Sequence, residues 1–284
     1  MDSMRDIQRR IGSVKNTRKI TRAMKMVGAA KLRRAQDKAE SARPFLNKTR
    51  KVLLDVKKHS RNANHDLLNE KDGKKHLYIL ITGDRGLCGA YNSRAIDKLK
   101  QSVKKDEENS ILAIGSKGRD YFKKRDYDIV SEYVQIEDYP GFSLARKIGN
   151  EVISLFKEDM FDKISLIYTH FESALTQQVK VIPFLPVDEL EERDKDEVQV
   201  EYLYEPSADE VLDVILPQYV YNVLYSSLLE SKASEYGSRM TAMDSATDNA
   251  NDMIEDLTKT YNRARQAEIT TEITEIVSGA EALK

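Results

Sequence analysis

The chain has 284 residues, and its formal net charge of −1 gives no overall indication of a nucleic-acid partner or of an acidic surface as a partner. Charged residues make up 33% of the sequence and aromatic residues 7%, without any tryptophan, a composition that suits long solvated helices better than a thick core. The single cysteine excludes an internal disulfide, and no apolar run approaches the ~18 residues of a membrane helix. The first residues, Met1–Arg5, lack the apolar core of a signal peptide, so we expect a soluble intracellular protein.

The first predicted element is a helix over residues 1–58, which we expect to take part in a coiled coil. Apolar residues recur along it every three or four positions: Ile7, Ile11, Val14, Met24, Val27, Leu32 and Ala35. Gly12 and Gly28 weaken this helix by roughly 1 kcal/mol each relative to alanine. Pro44 is expected to kink or interrupt it. The polar residues 60–75 that follow are typical of a linker.

The middle of the chain, residues 75–205, predicts a central α/β domain. Its five β-rich runs are Leu77–Ile81, Ile111–Ile114, Ile129–Val134, Ile164–Tyr168 and Val179–Phe184. Helical stretches lie between several of them, notably Ala90–Val103 and Ser143–Phe156, and this alternation is typical of a largely parallel, Rossmann-like sheet. A sixth strand is predicted over Val198–Tyr204.

The last predicted element is a helix over residues 207–284. Ser207 and Glu210 form a capping-box pattern at its start, and Pro217 is expected to break or kink it, so that the long helix proper begins at Gln218. Small and flexible apolar residues then recur at coiled-coil spacing: Met243, Ala246, Ala250, Met253, Leu257, Ala264 and Ala267. Such a helix is roughly 100 Å long, whereas a domain of about 150 residues is only about 40 Å across. The excess length therefore needs a partner.

The two terminal segments carry opposite charge. Residues 5–51 contain 16 basic and 3 acidic residues, and residues 209–284 contain 14 acidic and 6 basic residues. Opposite charge favours pairing of the two helices and leaves positive charge for an outside partner, although each exposed pair contributes only about 0–1 kcal/mol. We therefore predict N- and C-terminal long helices forming an antiparallel coiled coil, together with the central α/β domain.

The end of the C-terminal helix has a more apolar stripe. Its members are Ile269, Ile273, Ile276, Ala280 and Leu283. A stripe of this kind at a helix end, beyond its own domain, suggests an apolar socket in another protein.

The segment most like an enzyme motif is the glycine turn Gly83–Gly89, between a predicted strand and a predicted helix. Such a turn can bind a phosphate through backbone N–H groups. Here Ala90 and Tyr91 follow the last glycine where a Walker motif needs Lys and Ser or Thr, and the glycines lie three apart. A tight turn is therefore favoured, with a nucleotide-binding α/β enzyme as the alternative.

Other chemistry has little support in the sequence. Cys88 beside Arg85 is better explained as a buried packing residue than as a reactive thiol. The four histidines lack metal-ligand spacing, and no nucleophile elbow is present, so we predict no catalytic or metal site. A nucleic-acid binder using the basic residues 5–51 is a further alternative, but only Phe45 interrupts them as an aromatic residue, which disfavours base stacking.

Four segments, in order along almost the whole chain, share the motifs of one family. They are Ile20–Val27 with Ala29–Lys31, Gly83–Asn92, Ser238–Met243 with Ala246–Ala250, and Asn262–Ala267 with Ile269–Thr270 and Glu275–Ala280. Together they resemble the gamma subunit of F-type (rotary) ATP synthase.

The resemblance implies a non-catalytic rotor shaft. In that family the two terminal helices form an antiparallel coiled coil inside a ring of three alpha and three beta subunits. A membrane ring of c subunits turns the shaft, whose asymmetric surface takes the three catalytic sites through different nucleotide affinities. The implied partners are therefore the alpha, beta and epsilon subunits and the c ring, with no nucleic acid and no cofactor.

The matching motifs also imply individual contacts. Arg265 and Gln266, with Thr270 close by, correspond to polar contacts with a beta-subunit catch loop. Met24 corresponds to a position that faces acidic beta residues, where a new positive charge should impair coupling. Tyr202 and Glu205 correspond to contacts with epsilon and the c ring at the base.

The chain departs from the family pattern in a few places. Gly28 and Gly237 stand where the family more often has alanine or serine, which suggests locally softer helices. The chain lacks the insertion with a cysteine pair of the chloroplast form and a clear transit peptide, so the resemblance implies a bacterial subunit held peripherally at the cytoplasmic face of the plasma membrane.

Overall fold

This computed structural model describes residues 3–59, 65–104, 106–187, 205 and 207–282. Along the chain, one long helix precedes the strands of a five-stranded sheet and a second long helix follows them. In chain order the elements are α1 (Met4–His59), β1 (Lys75–Ile81), α2 (Tyr91–Ser102), β2 (Glu108–Ile114), α3 (Ser116–Lys123), β3 (Asp128–Tyr133), α4 (Phe142–Lys157), β4 (Lys163–Phe171), β5 (Gln177–Leu185) and α5 (Ala208–Ala282). Within the described ranges, none of the helices combines the length and apolarity that crossing a bilayer requires.

The residues form two compact units. One consists of Met1–Gly28 with Met240–Lys284, and the other of Ala29–Arg239. The first unit contains only parts of α1 and α5. The second contains the sheet, the three shorter helices and the remaining parts of α1 and α5.

The sheet has the strand order β3-β2-β1-β4-β5. The first four of these strands are parallel, and β5 runs antiparallel to β4. The predicted α/β fold class with long terminal helices is thereby confirmed, and each of the five predicted strands in this domain is present. The predicted strand Val198–Tyr204 lies outside the described residues.

Both faces of the sheet are buried, and β1 shows why. Alternate residues of this strand belong to two different apolar clusters, Leu77, Ile79 and Ile81 to one and Tyr78 and Leu80 to the other. A continuous apolar run is what a parallel strand covered on both faces requires. The first cluster adds residues of α4 and of both terminal helices, and the second adds residues of α2 and α3.

Helix α3 was not predicted from the sequence. With eight residues, α3 is too short to show a clear helical period in the sequence. Its first residue is fixed from elsewhere in the chain, since the Asp84 carboxylate accepts hydrogen bonds from the Ser116 N–H (2.9 Å) and hydroxyl (2.6 Å). A tertiary contact thus supplies the helix cap.

Each proline was expected to kink or interrupt its helix, and the interruption was wrong. Helix α1 continues through Pro44, which is exposed, so that water can reach the carbonyl that loses its partner. Helix α5 begins at Ala208 and continues through Pro217, so Gln218 is not its start. Around Pro217, the fully buried Leu216 and Val220 each stabilise the packed helix by about 1.5–3 kcal/mol, which offsets a proline cost of roughly 3 kcal/mol.

Candidate functional site

The parts of α1 and α5 in the first unit pair antiparallel. Three side-chain contacts join them: Lys25 with Asp244 at 2.5 Å, Thr21 with Thr247 at 2.8 Å and Arg18 with Asn251 at 3.1 Å. In this series the residue numbers decrease along α1 as they increase along α5, so the helices are antiparallel. Each pair of residue numbers adds to nearly the same value, so the register is constant. We call these paired parts of α1 and α5 the terminal helix pair.

Small residues keep the two helices close together. A Cβ atom added at Gly28 would lie 3.5 Å from Met240, which is ordinary van der Waals contact. The seam residues Met243 and Ala250, predicted from their spacing, are only 5% and 4% exposed, and Ile7 of α1 is 4% exposed. The helices therefore pack along part of the predicted seam, but the seam prediction was wrong at Met253, which is 50% exposed, and at Ala267, which is also exposed.

Beyond the end of α1, helix α5 continues alone within the described residues. Continuing the register of the three contacts places Met4, the first residue of α1, opposite Arg265. From Arg265 onward the described side chains of α5 are exposed, including four large apolar ones: Ile269, Ile273, Ile276 and Val277. We call these four residues the apolar end. An apolar stripe of this kind marks a docking surface.

The predicted contact residues fall in different places. Arg265, Gln266 and Thr270 are exposed neighbours at the start of the unpaired stretch, and the Thr270 hydroxyl donates to the Gln266 carbonyl at 2.8 Å. Met24 is half-buried in α1, and in the same register it lies about 20 residues, or roughly 30 Å, from Arg265 along the helix. Glu205 is exposed and belongs to the second unit, and Tyr202 lies outside the described residues.

Positive charge is distributed along the α1 side of the helix pair. Arg5, Arg9, Lys15, Lys19 and Arg22 are all exposed. Such a series attracts an acidic partner without fixing a single register, because exposed charges act over several ångströms through solvent. The surface therefore suits a partner that slides past it.

The glycine turn of the second unit is held by side chains of the chain itself. The Gly83 N–H donates to Asn92 at 2.8 Å, and Asp84 accepts from the Ile136 N–H at 2.8 Å in addition to its bonds with Ser116. Burial by itself would raise the pKa of Asp84, but the hydrogen bonds from Ser116 and from backbone N–H groups hold that pKa below its usual value. A carboxylate at this position disfavours phosphate, so the geometry supports the tight turn.

Cys88 has the environment of a packing residue. Its side chain is 1% exposed, and burial raises the pKa of its thiol even though Arg239 acts in the opposite direction. A reactive cysteine needs the reverse shift. In the described ranges, no group of three or more metal-ligating side chains is placed to hold an ion.

The comparison with known proteins covers the whole chain. The family model described as ATP synthase matches residues 3–283. The ATP synthase gamma chain of Halothermothrix orenii is 57% identical over 287 residues, and that of Desulforamulus reducens is 48% identical over 284 residues; each alignment covers 100% of both chains.

The chain belongs to the ATP synthase gamma chain family. Its role is accordingly that of the central stalk of a rotary ATP synthase, a non-catalytic subunit of a complex whose catalytic sites are on beta. The predicted family, function and lack of enzymatic activity are confirmed by these relatives.

Solved structures agree with this assignment. The central stalk and c-ring structure of the Tetrahymena thermophila mitochondrial ATP synthase contains a chain with a TM-score of 0.62 and 28% identity, covering 80% of this gamma chain and 99% of its own. A chain of the Euglena gracilis mitochondrial ATP synthase rotor gives a TM-score of 0.67 at 20% identity, covering 94% and 98%, which supports the fold alone.

Two carboxylates with important contacts were not identified from the sequence as site residues. Asp84 joins three segments that follow different strands, and Asp138 contacts both terminal helices. Their partners lie 32 to 107 residues away in the sequence, and no local pattern marks such contacts. The only signal was the position of Asp84 at the end of a predicted parallel strand.

Proposed function

We propose that this gamma chain turns inside a ring of alpha and beta subunits and couples proton flow through a membrane c ring to ATP synthesis and hydrolysis. The observation that supports this proposal best is the terminal helix pair, whose α5 helix continues beyond α1 as an exposed apolar end. In water four large apolar side chains on one helix are unfavourable, whereas inside a ring of partner subunits they gain an apolar environment.

Contacts with beta are proposed at the start of the unpaired stretch. Arg265, Gln266 and Thr270 lie within six residues of one another and are all exposed. The guanidinium of Arg265 can bind a carboxylate through two parallel N–H groups, and Gln266 and Thr270 are four residues apart and so share one helix face. We assign these three side chains to a catch loop of the beta subunit.

Met24 is proposed to face acidic residues of beta. It is half-buried, and its neighbours Met26 and Val27 are exposed by 67% and 56%. A neutral side chain at this place allows an acidic loop to pass. A lysine would form an ion pair that favours one rotational position over the others.

The base of the stalk is proposed to include Tyr202 and Glu205, which contact epsilon and the c ring. The functional segments are residues 1–58 and 207–284 as the two helices of the shaft and residues 75–205 as the central domain. The complex holds this gamma chain peripherally at the cytoplasmic face of a bacterial plasma membrane.

Co-expression of a tagged gamma chain with alpha and beta subunits tests the proposal. We expect the three to co-purify as a complex with ATPase activity, and the isolated gamma chain to show no tight ATP binding at equilibrium. Recovery of the gamma chain alone, or tight ATP binding by it, would argue against the shaft and for a nucleotide-binding protein.

A further inference from the structure

The loop between β3 and α4, residues 134–141, is fixed where it begins. The Ile136 N–H donates to Asp84, whose carboxylate also bonds to Ser116 at the start of α3. The loop is thereby tied to the ends of the two strands beside it, β1 and β2. This bond holds the start of the loop in place for the residues that follow.

Asp138, two residues further along this loop, contacts both terminal helices at once. One carboxylate oxygen accepts from the Lys31 ammonium of α1 at 2.5 Å, and the other accepts from the Tyr236 hydroxyl of α5 at 2.7 Å. The Lys31 ammonium also lies 5.7 Å from the centre of the Tyr236 ring. A second contact comes from Lys38, whose ammonium lies 5.4 Å from the centre of the Tyr139 ring. All these residues belong to the second unit.

The protonation states of Asp138 and Tyr236 suit these bonds. Partial burial by itself would raise the pKa of Asp138, but the bonds from Lys31 and Tyr236 lower it below its usual value. Burial and the bond to Asp138 raise the pKa of Tyr236. The carboxylate is therefore charged and the hydroxyl keeps the proton that it donates.

The bonds of Asp138 add to other polar contacts that hold α5 to the sheet domain, in which Ser231 and Ser234 bond to the Thr169 backbone and Glu230 bonds to His170. The larger apolar cluster takes residues of α5 from Leu212 to Leu228. Tyr236 is eight residues beyond Leu228, or roughly 12 Å along the helix. Apolar contacts are non-directional and permit small sliding movements, whereas hydrogen bonds weaken steeply when their angles change. The apolar cluster and these directional bonds together resist rotation of the helix about its axis, and Asp138 extends this attachment to Lys31 of α1.

We propose that Asp138 is a positioning residue that locks α1 and α5 to the sheet domain, so that torque acting on this domain reaches both helices without slip. This role rests on the proposed rotor function. Because each carboxylate oxygen binds a different helix, a rotation of either helix against the loop must break a bond.

Three conservative variants separate the bonds. Asp138→Asn keeps the shape but removes the charge that binds Lys31, Lys31→Met removes the ammonium, and Tyr236→Phe removes only the hydroxyl. Glu137→Gln is the matched control, because it removes one charge at the exposed neighbouring position of the same loop.

Two measurements are made on each variant. Hydrogen exchange of the amides of residues 134–141 in the full chain is expected to rise about tenfold in Asp138→Asn, which corresponds to about 1.4 kcal/mol. In the complete complex in sealed vesicles, we expect the number of ions pumped per ATP hydrolysed to fall in the three variants and to keep the wild-type value in Glu137→Gln. In a Lys31→Met chain, Asp138→Asn should cause no further loss.

Three results would overturn the inference. Faster exchange with an unchanged pumping ratio would make the bonds a structural brace only. An equal loss of pumping in Glu137→Gln would show that the charge of the loop matters and its bonds do not. A wild-type complex that hydrolyses ATP without pumping would contradict the proposed rotor function itself, and the role of Asp138 with it.

Discussion

Asp84 shows how much of this fold depends on one side chain. It follows β1, and its carboxylate accepts hydrogen bonds from Ser116, which follows β2, and from Ile136, which follows β3. Three neighbouring strand ends are thus joined through one anion. The glycine turn that resembles a phosphate site in the sequence is therefore organised around a negative charge of the protein itself.

Asp84→Asn is expected to destabilise the full chain by about 1–3 kcal/mol, because the new amide group would face N–H donors that are left without an acceptor. Since the folded pKa lies below the usual 3.8, the wild-type contribution is complete above that value and is lost as pH falls through the folded pKa. Urea unfolding between pH 7 and pH 3 measures both effects. Equal stability of variant and wild type at pH 7 would contradict this role.

Arg265 is a functional residue on this account and contributes little to folding. Arg265→Ala is expected to lower ATP-driven turnover of the assembled complex roughly tenfold, the effect of about 1.4 kcal/mol, while thermal unfolding of the isolated chain stays within about 0.5 kcal/mol of wild type, as for other surface substitutions.

Arg263→Ala is the matched control for this test. It removes the same side chain two positions away, on a different face of α5. Wild-type turnover in Arg265→Ala, or an equal loss in both variants, would count against a specific contact at Arg265.

At the scale of the elements, the period of apolar residues predicted most of what forms. The five strands are short β-rich apolar runs and helices α2 and α4 have a helical period, and all of them were predicted close to their observed positions. Helix α3 and the uninterrupted passage of α1 and α5 through Pro44 and Pro217 were not predicted, because they depend on tertiary contacts and on burial. The role of Asp138 could not be predicted either, since both of its partners lie about 100 residues away.

Two helical glycines are expected to respond in opposite ways to the same substitution. Gly28→Ala should stabilise the chain by about 0.5–1 kcal/mol, because the new methyl group fits beside Met240 and alanine is the better helix former. Gly149→Ala in α4 should destabilise it by roughly 1–3 kcal/mol, since the methyl group would overlap the ring of Tyr221.

Denaturant unfolding of the full chain measures both changes, and each variant serves as the control for the other. If both variants raise the midpoint, then helix propensity outweighs packing and the close approach of α4 and α5 is not as described; if both lower it, then the methyl group does not fit beside Met240.

At the scale of the whole molecule, opposite charge and a shared apolar period predicted that the two ends of the chain pair antiparallel, and this pairing is observed within the first unit. The family resemblance supplied the rotor function, which periodicity alone did not contain. The spacing of residues alone did not indicate which of them contact beta. These contacts depend on partner surfaces that the sequence of one chain does not encode.

The proposed shaft function requires that the gamma chain rotates within the assembled complex, and this rotation can be observed directly. Leu175, at the tip of the β4–β5 hairpin, is 84% exposed, and Cys88 is buried, so Leu175→Cys provides one accessible thiol for a bead. With the beta subunits fixed to a surface, we expect the bead to turn stepwise in one direction when ATP is added. A stationary bead on complexes that hydrolyse ATP at the full rate would contradict it.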